Sequence, residues 1–429
     1  MKFAHLADTH LGFRQFGLIE REKDFYEVFG KVIDKIIEEK VDFVIHSGDL
    51  FENEKPSPMA LLEFQKGLLK LKGAGIPMYA IAGNHDSAMG KGSIPPQVIF
   101  KKMGLKVISP INTNYRQGDV FIAGLPFYPS SQSGVLKSKL VELSKKAAKH
   151  EKSILVLHQA IEDFTDDQYE LQAADIPDNF DYYALGHIHR YVASDFGKGT
   201  LVYPGSTEIW KTDEIMDFHE NGKGFVVVDL DGQKPTVKRV TVDLPREFIK
   251  RSIDFNNLES NIEGIKESIR GFDNLPILIL DINNLESDAT NINRRINQEL
   301  GDLSLMIRPT FNNSDGKIGE IFVRNSPVGA KKLIDEKLEG YGNSDVNKLA
   351  TDLYDFLSKD NLEAAQLIIE QYFTQHYSSV KDDVEFKTEE IEKEQMDTAI
   401  FENDVIEPME DASEDEMKDI KVTFKEGLE

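Results

Sequence analysis

The chain has 429 residues, no cysteine and a formal net charge of −25. That length exceeds one ordinary hydrophobic core and predicts at least two domains. The absence of cysteine excludes a disulfide framework and a thiolate metal site. The sequence contains no run of 18 apolar residues and no basic-then-apolar leader, so we expect no membrane span, no secretion and a cytoplasmic location.

The acidic charge is concentrated near the C-terminal end. Residues 381–429 contain 19 Asp or Glu against 6 Lys. Few aromatic residues occur there, and we predict a disordered acidic tail over 379–429. The overall charge argues against a generally basic nucleic-acid-binding protein, although local patches such as Lys101-Lys102 and Lys137 to Lys149 could follow a phosphate backbone.

Residues 1–245 alternate strand-like and helix-like segments. An apolar stripe over 20–39 predicts one helix, and the Ser57-Pro58 cap predicts a second that continues to about Lys72. Strands are predicted at 3–7, 41–46, 78–82, 120–123, 154–157, 182–185, 201–203, 225–230 and 236–244. Early βαβ units followed by a late hairpin predict a mixed α/β sandwich with helices outside.

Residues 246–330 repeat this rhythm on a smaller scale. Strands are predicted at 248–255, 278–282 and 303–310, and helices at about 259–271 and 289–300. We therefore predict a separate small α/β domain over 246–330, which begins after Leu244-Pro245.

Residues 345–376 carry two amphipathic helical patterns, which predict a C-terminal helix pair. The apolar stripe of such a pair must be buried. Packing on the same protein and docking on a partner are both consistent with the pattern.

Five short polar clusters each follow a predicted strand. They are Asp8-Thr9-His10, Gly48-Asp49, Gly83-Asn84-His85-Asp86, His158-Gln159 and Gly186-His187-Ile188-His189. Loops at the carboxyl ends of strands converge in open α/β sheets. The clusters together supply two carboxylates, one carboxamide, four imidazoles and a spare histidine, which is the ligand set of a two-metal hydrolase that acts on phosphate esters.

Each cluster alone also has an ordinary structural explanation. Asp49 could be a turn aspartate and His158 a strand-end histidine. The Gly-Asn-His-Asp run is more specific, because the Asn84 amide oxygen can bind a metal without adding charge. His85 is better used beside the metals as a general acid or as a donor to phosphate. Asp86 could hold the His85 imidazole in one tautomer.

The spacing of the clusters suggests how their side chains are directed. Strand-like alternation places Asp8 and His10 on one side, and it places His187 and His189 on one side. Asp49, with two carboxylate oxygens, could bridge two cations. Nitrogen and oxygen donors without sulfur favour Mn²⁺, with Fe, Zn²⁺ and Mg²⁺ as alternatives.

The motifs resemble the calcineurin-like metallophosphoesterase superfamily. More narrowly, they resemble the SbcD, or meiotic-recombination-eleven, nuclease subunit of the DNA double-strand-break repair complex. The match covers residues 1–245 in order and spacing, and it indicates an archaeal source. The matching motifs are residues 7–12 (ADTHLG), 47–51 (SGDLF), 83–86 (GNHD), 157–159 (LHQ), 183–189 (YALGHIH) and 203–206 (YPGS).

The resemblance implies a site with two Mn²⁺ ions per chain. One ion would be held by Asp8, His10 and His189. The other would be held by Asn84, His158 and His187, and Asp49 would bridge the two ions. His85 would be the catalytic histidine, supported by Asp86.

The resemblance also implies a substrate and partners. Such nucleases cut duplex DNA ends as 3′-to-5′ exonucleases and cut single strands as endonucleases, which would place the protein on the nucleoid. They are homodimers bound to an SMC-like ABC ATPase that has a long coiled coil. Residues 246–330 would be the capping domain that contacts DNA, and the helix pair at 345–376 would dock on the coiled coil.

One residue departs from the family pattern. Some relatives carry a second histidine directly after the Gly-Asp-Leu-Phe run, where this chain has Glu52. A glutamate repels phosphate unless a cation or base neighbours it. We therefore expect endonuclease activity more firmly than exonuclease activity.

Two other functions compete with the nuclease. The first keeps the metal site but acts on a phosphoprotein or on a small cyclic or diester phosphate. Protein phosphatases of the superfamily extend the Gly-Asp run with Asp-Arg-Gly and read Gly-Asn-His-Glu, whereas this chain reads Phe51-Glu52-Asn53 and ends its motif in Asp86. A non-enzymatic scaffold could bridge DNA ends through a dimer face over residues 57–72 and 91–104. The complete ligand set argues against scaffolding as the sole role.

Overall fold

The computed structural model describes residues 1–88, 93–165, 168–285, 289–312, 318–320, 338, 344–357, 365–369 and 371–372. It consists of two units, residues 1–325 and 326–429. The predicted acidic tail at 379–429 lies outside the described residues. Among the helices within these ranges, none combines the length and apolarity needed to cross a membrane.

Sixteen strands and seven helices make up the described regular structure. The strands are β1 (Lys2–Leu6), β2 (Phe43–His46), β3 (Met78–Ala80), β4 (Lys106–Val107), β5 (Asn114–Gln117), β6 (Val120–Gly124), β7 (Lys152–His158), β8 (Tyr182–Gly186), β9 (Val192–Phe196), β10 (Gly199–Tyr203), β11 (Lys223–Asp229), β12 (Thr236–Val242), β13 (Phe248–Asp254), β14 (Ile277–Asn283), β15 (Met306–Asn312) and β16 (Ile318–Glu320). The helices are α1 (Ile19–Glu38), α2 (Pro58–Gly73), α3 (Ser133–Ala147), α4 (Glu214–Asn221), α5 (Leu258–Ser268), α6 (Ala289–Leu300) and α7 (Ser344–Leu357).

The strands form three mixed sheets. The first has the order β12-β11-β1-β2-β3-β4, in which β1 to β4 run parallel. The second has the order β5-β6-β7-β8-β10-β9, with a parallel centre and an antiparallel strand at each edge. The third, β13-β14-β15-β16, follows in the chain.

Side-chain alternation along β1 explains how the first two sheets are layered. Leu6 belongs to the apolar core that also contains Phe29 of α1 and Phe64 of α2. Phe3, on the opposite face, stacks on Phe43 at 4.9 Å between ring centroids and meets Tyr182 of the second sheet edge-on at 5.2 Å. The predicted mixed β-sandwich flanked by helices is confirmed.

The sequence patterns do not predict α3, the helix that covers the outer face of the second sheet. Leu136, Leu140 and Leu143 of α3 are buried in one core with strands of that sheet. They are spaced by four and three residues, as one helix face requires. The lysines between them made the segment look like a basic patch only.

The third sheet has its own apolar core, formed with α5 and α6. The predicted strands and helices of 246–312 are confirmed, with β15 beginning at Met306 because residues 301–303 form a 3₁₀ turn. The separate domain over 246–330 stays a prediction, since residues 1–325 form one unit. In the second unit, α7 and helical residues at 365–369 and 371–372 agree with the predicted helix pair, whose last residues lie outside the described ranges.

A buried ion network joins α1 to the start of the third sheet. The fully buried Arg21 guanidinium donates to Asp24 Oδ2 at 2.6 Å and to Glu208 Oε1 at 3.1 Å. Arg246 donates to both oxygens of Asp24, at 2.7 and 3.2 Å, and to the Leu275 carbonyl. The network therefore ties the loop after β10 to α1 and to the third sheet.

We predict that Arg21→Met lowers the free energy of unfolding by about 3–5 kcal/mol, because it leaves the buried Glu208 carboxylate without its cation. Urea denaturation followed by circular dichroism measures this loss. Lys70→Met is the control, since the Lys70–Asp34 pair is exposed on both sides and contributes little. Equal losses for the two variants would contradict the predicted contribution of the buried Arg21–Glu208 ion pair to stability.

Candidate metal centre

The predicted metal ligands lie at the carboxyl ends of β1, β2, β3, β7 and β8, where His158 is the last residue of β7 and the others lie in the loops that follow the strands. Four of them have left-handed backbone angles: φ is 53° at Asp8, 43° at His10, 53° at Asp49 and 94° at His187. Such angles are uncommon for residues other than glycine and mark tight turns. These turns direct side chains from separate loops toward one point.

Two glycines allow the loops to approach. A Cβ added at Gly48 would lie 2.3 Å from the His158 ring, and φ there is 102°. A Cβ added at Gly83 would lie 2.1 Å from Asp49 Oδ1. Any side chain at either position would separate the donors.

Asp8, His10 and His189 form the first donor group. His10 Nδ1 lies 2.8 Å from Glu52 Oε2, and His189 Nδ1 lies 2.8 Å from Glu214 Oε1. A carboxylate only accepts hydrogen bonds, so both rings carry their proton on Nδ1 when neutral. Their Nε2 lone pairs then face each other at 3.2 Å.

Asn84, His158 and His187 form the second donor group. Asn84 Oδ1 lies 2.8 Å from His187 Nδ1 and 3.0 Å from His158 Nε2. His158 Nδ1 donates to the Ser47 carbonyl at 2.8 Å, which again leaves Nε2 without a proton in the neutral ring. His187 and His189 both face the same cavity, as predicted, but the turn at His187 sends the two rings to different groups.

Asp49 lies between the two groups. Its Oδ2 is 3.2 Å from His158 Nε2 and 3.8 Å from His10 Nε2. Burial alone would raise the pKa of Asp49, but the neighbouring His158 and His10 outweigh it and lower that pKa. This is the position that a bridging carboxylate needs.

The residues fit two divalent cations. Asp8 and Asp49 are 0 and 1 % exposed. Buried carboxylates and imidazole lone pairs that face one another are unfavourable unless a positive charge lies among them. Cations bound by both groups would satisfy the seven donors, and donors that combine nitrogen and oxygen suit Mn, Fe or Zn better than Ca.

His85 lies beside both groups and faces the solvent cavity. Its backbone N–H donates to Asp49 Oδ1 at 2.9 Å, and its Nδ1 lies 3.2 Å from the Glu52 carbonyl and 3.6 Å from Glu52 Oε1. Burial would lower the pKa of His85, but Glu52 and Asp49 raise it to about 9. Bound cations would draw that pKa down again.

The structure corrects the predicted role of Asp86. Its carboxylate accepts from the backbone N–H groups of Phe51 at 3.0 Å and Gly83 at 2.8 Å, and from the Gln97 amide. Burial and the charge of Asp49 raise the pKa of Asp86 to about 7. Asp86 therefore fixes the turn that presents Asn84, and Glu52 is the carboxylate beside the His85 ring.

Sequence reasoning missed two residues that support the centre. Glu214, at the start of α4, holds His189 and also accepts from Lys223 Nζ at 2.6 Å. Trp210 stacks on His10 with ring centroids 5.3 Å apart. Neither residue follows a strand in a recognisable motif, so only the folded loop after β10 identifies them.

A cavity of about 650 Å³ opens onto the centre. Its floor includes Asn84, His85 and His187, and its rim carries the exposed side chains of Arg190 and Lys211. The acidic side chains of Asp213 and Asp217 line the same cavity.

Comparisons with known proteins agree with this geometry. Residues 1–191 match the calcineurin-like phosphoesterase family model. Among solved structures, the protein TT1561 of Thermus thermophilus aligns with 13% identity and a TM-score of 0.35 over 56% of this chain and 98% of that one, too distant to support an argument.

Closer relatives are found among proteins named DNA double-strand break repair protein Mre11. The Methanococcus maripaludis protein is 33% identical over 88% of this chain and 100% of its own length. Those of Methanocaldococcus jannaschii and Sulfurisphaera tokodaii are 37% and 36% identical, over 62% and 61% of this chain and 74% and 68% of theirs. This chain belongs to the Mre11 family of calcineurin-like phosphoesterases.

Proposed function

We propose that this protein is a two-metal-dependent DNA nuclease that processes DNA ends in double-strand-break repair. The observation that carries the proposal is the convergence of Asp49 and six other metal-binding side chains beside His85, next to an open cavity. The relatives, which are named for DNA double-strand break repair, supply the substrate class.

The proposed ligands are those predicted from the sequence. Asp8, His10 and His189 would hold one cation; Asn84, His158 and His187 would hold the other. Asp49 would contribute to both. When bound, the two cations would hold the attacking and leaving oxygens of an in-line phosphoryl displacement. We propose Mn²⁺, which suits these donors.

His85 is the proposed catalytic histidine. Its Nδ1 is held against Glu52, which leaves Nε2 for the substrate. There the imidazole would donate a hydrogen bond to the phosphate or a proton to the leaving oxygen. Arg190 and Lys211 on the cavity rim would bind neighbouring phosphates of the DNA strand.

Both predicted activities, 3′-to-5′ exonuclease on duplex ends and endonuclease on single strands, are part of the proposal. Glu52 is a smaller obstacle to exonuclease activity than the sequence indicated, because its carboxylate accepts from His10 Nδ1 and Trp210 Nε1 and is 14 % exposed. Its negative charge is directed toward these two N–H groups and so repels a phosphate less.

The partners and the domain roles are also proposed. Residues 246–330 would contact DNA as a capping domain. The helices around 345–376 would dock on the coiled coil of an SMC-like ABC ATPase, for which their exposed apolar side chains Tyr354, Leu367 and Ile369 offer a surface.

A homodimer is proposed through the face predicted at 57–72 and 91–104. Its described residues expose five large apolar side chains, each between 43 and 62 %: Met59, Leu62, Leu69, Ile94 and Ile99. Exposed apolar groups that lie together mark interaction surfaces.

We predict that His85→Ala retains metal binding and lowers DNA cleavage by about 10²–10⁴-fold, because only proton donation is lost. Single-turnover cleavage of labelled DNA measures the rate, and calorimetric titration with Mn²⁺ measures binding. His150→Ala is the control, since that histidine stacks on Phe121 away from the centre. Undiminished cleavage by the His85 variant would refute its role.

We predict that chelation by EDTA abolishes cleavage of duplex and single-stranded DNA and that Mn²⁺ restores it better than Mg²⁺. A generic aryl phosphodiester and a phosphopeptide are assayed in parallel. Preference for DNA supports the nuclease, whereas preference for the phosphopeptide would favour the phosphatase alternative.

We predict that Leu62→Glu combined with Ile99→Glu produces a folded monomer, because two charges would be placed on the apolar face. Light scattering after gel filtration measures the mass, with the exposed Val135→Glu of α3 as the control. A double variant with the wild-type dimer mass would place the interface elsewhere.

A further inference from the structure

Glu52 lies outside the seven proposed ligands, yet three groups at the centre converge on it. Its Oε2 accepts from His10 Nδ1 at 2.8 Å and from Trp210 Nε1 at 3.0 Å. Its Oε1 lies 3.6 Å from His85 Nδ1, and its main-chain carbonyl lies 3.2 Å from the same atom. One glutamate therefore links a proposed metal ligand, the proposed catalytic histidine and an indole.

Trp210 covers the first donor group with its ring. The indole stacks on the His10 imidazole at 5.3 Å and 29° between planes. It meets His85 and His189 edge-on at 5.4 and 5.2 Å. A rigid ring in contact with three imidazoles limits how far any of them can rotate.

Hydrogen bonds to the main chain of Trp210 also hold it in place. Its backbone N–H donates to Glu214 Oε2 at 3.2 Å, and the other oxygen of Glu214 accepts from His189 Nδ1. Its carbonyl accepts from Gln15 Nε2 at 2.8 Å. Trp210 is thus hydrogen-bonded through its backbone to Glu214, which holds His189, and through its indole to Glu52, which holds His10.

The chemistry of position 52 requires a side-chain oxygen that can accept two hydrogens in this arrangement. His10 and Trp210 both offer N–H groups, and an indole N–H can only donate. A single oxygen of Glu52 accepts both. A neutral imidazole has one acceptor nitrogen, so a histidine here could not accept two hydrogens. Trp210 and Glu52 accordingly form a matched pair in this chain.

We propose that Glu52 and Trp210 are positioning residues that set the metal affinity of the Asp8–His10–His189 group. The inference rests on the proposed two-metal function. Glu52 fixes the His10 tautomer so that Nε2 is presented to the cation, and Trp210 prevents the ring from turning away. Groups that orient metal-binding histidines in this way typically contribute a 10–100-fold factor in metal affinity.

The test uses the full-length protein and Mn²⁺ alone. Binding is followed by the electron paramagnetic resonance signal of free Mn²⁺, which resolves two classes of site. For Glu52→Ala, which removes the acceptor, and for Trp210→Phe we expect one site to weaken roughly 10–100-fold while the other keeps its wild-type affinity. Glu151→Ala, at an exposed position, is the matched control.

Two further readouts separate positioning from a merely structural role. Trp210 is the only tryptophan of the chain, so quenching of its fluorescence by Mn²⁺ reports the first group directly. In Glu52→Ala we expect this quenching to require a higher Mn²⁺ concentration. DNA cleavage by that variant should be restored by excess Mn²⁺, which the loss of a catalytic group would not allow.

The outcomes distinguish this inference from the proposed function. If the wild type binds two Mn²⁺ and cleaves DNA while both variants bind with wild-type affinity, only the positioning role is overturned. If the wild type binds no Mn²⁺, the proposed function fails and this inference fails with it. Circular dichroism checks folding, and Trp210→Phe serves as the test if Glu52→Ala does not fold.

Discussion

The crowding of hydrogen-bond acceptors at one buried point is the constraint on which the rest of the structure depends. Asp49 Oδ2, Asn84 Oδ1 and the Nε2 atoms of His10 and His189 have no proton to share when the rings are neutral. A protein interior does not tolerate such a group of like dipoles and charges without compensation. Divalent cations would supply that compensation, and this requirement accounts for the many hydrogen bonds that hold the metal-binding side chains in place.

The first and second sheets hold the metal-binding side chains in place. Their strands end at one edge, and left-handed turns at Asp8, His10 and Asp49 direct the loops inward. Backbone strain of this kind persists only where the surrounding structure enforces it. Glu52 and Glu214 accept from Nδ1 of His10 and His189 and so fix the tautomers of these two rings. The network of Arg21, Asp24 and Arg246 also includes Glu208 and thereby holds the loop after β10.

The sequence predicted much of this arrangement because strands and ligand motifs are local features. The runs before Asp8, Asp49 and His158 are apolar, and the polar residues that follow them stand out. The role of Asp86 could not be predicted correctly, because its partners Phe51 and Gln97 lie far from it in the chain. Glu214 and Trp210 gave no signal, since their importance comes from tertiary contacts with His189 and His10.

The central claim is that the seven side chains hold a pair of cations. The most direct measurement is a crystal grown with Mn²⁺ and recorded at the manganese absorption edge. The account predicts two anomalous peaks per chain, one within each donor group, with Asp49 in contact with both. A map with no peak there, or with the donors turned away from a single ion, would contradict it.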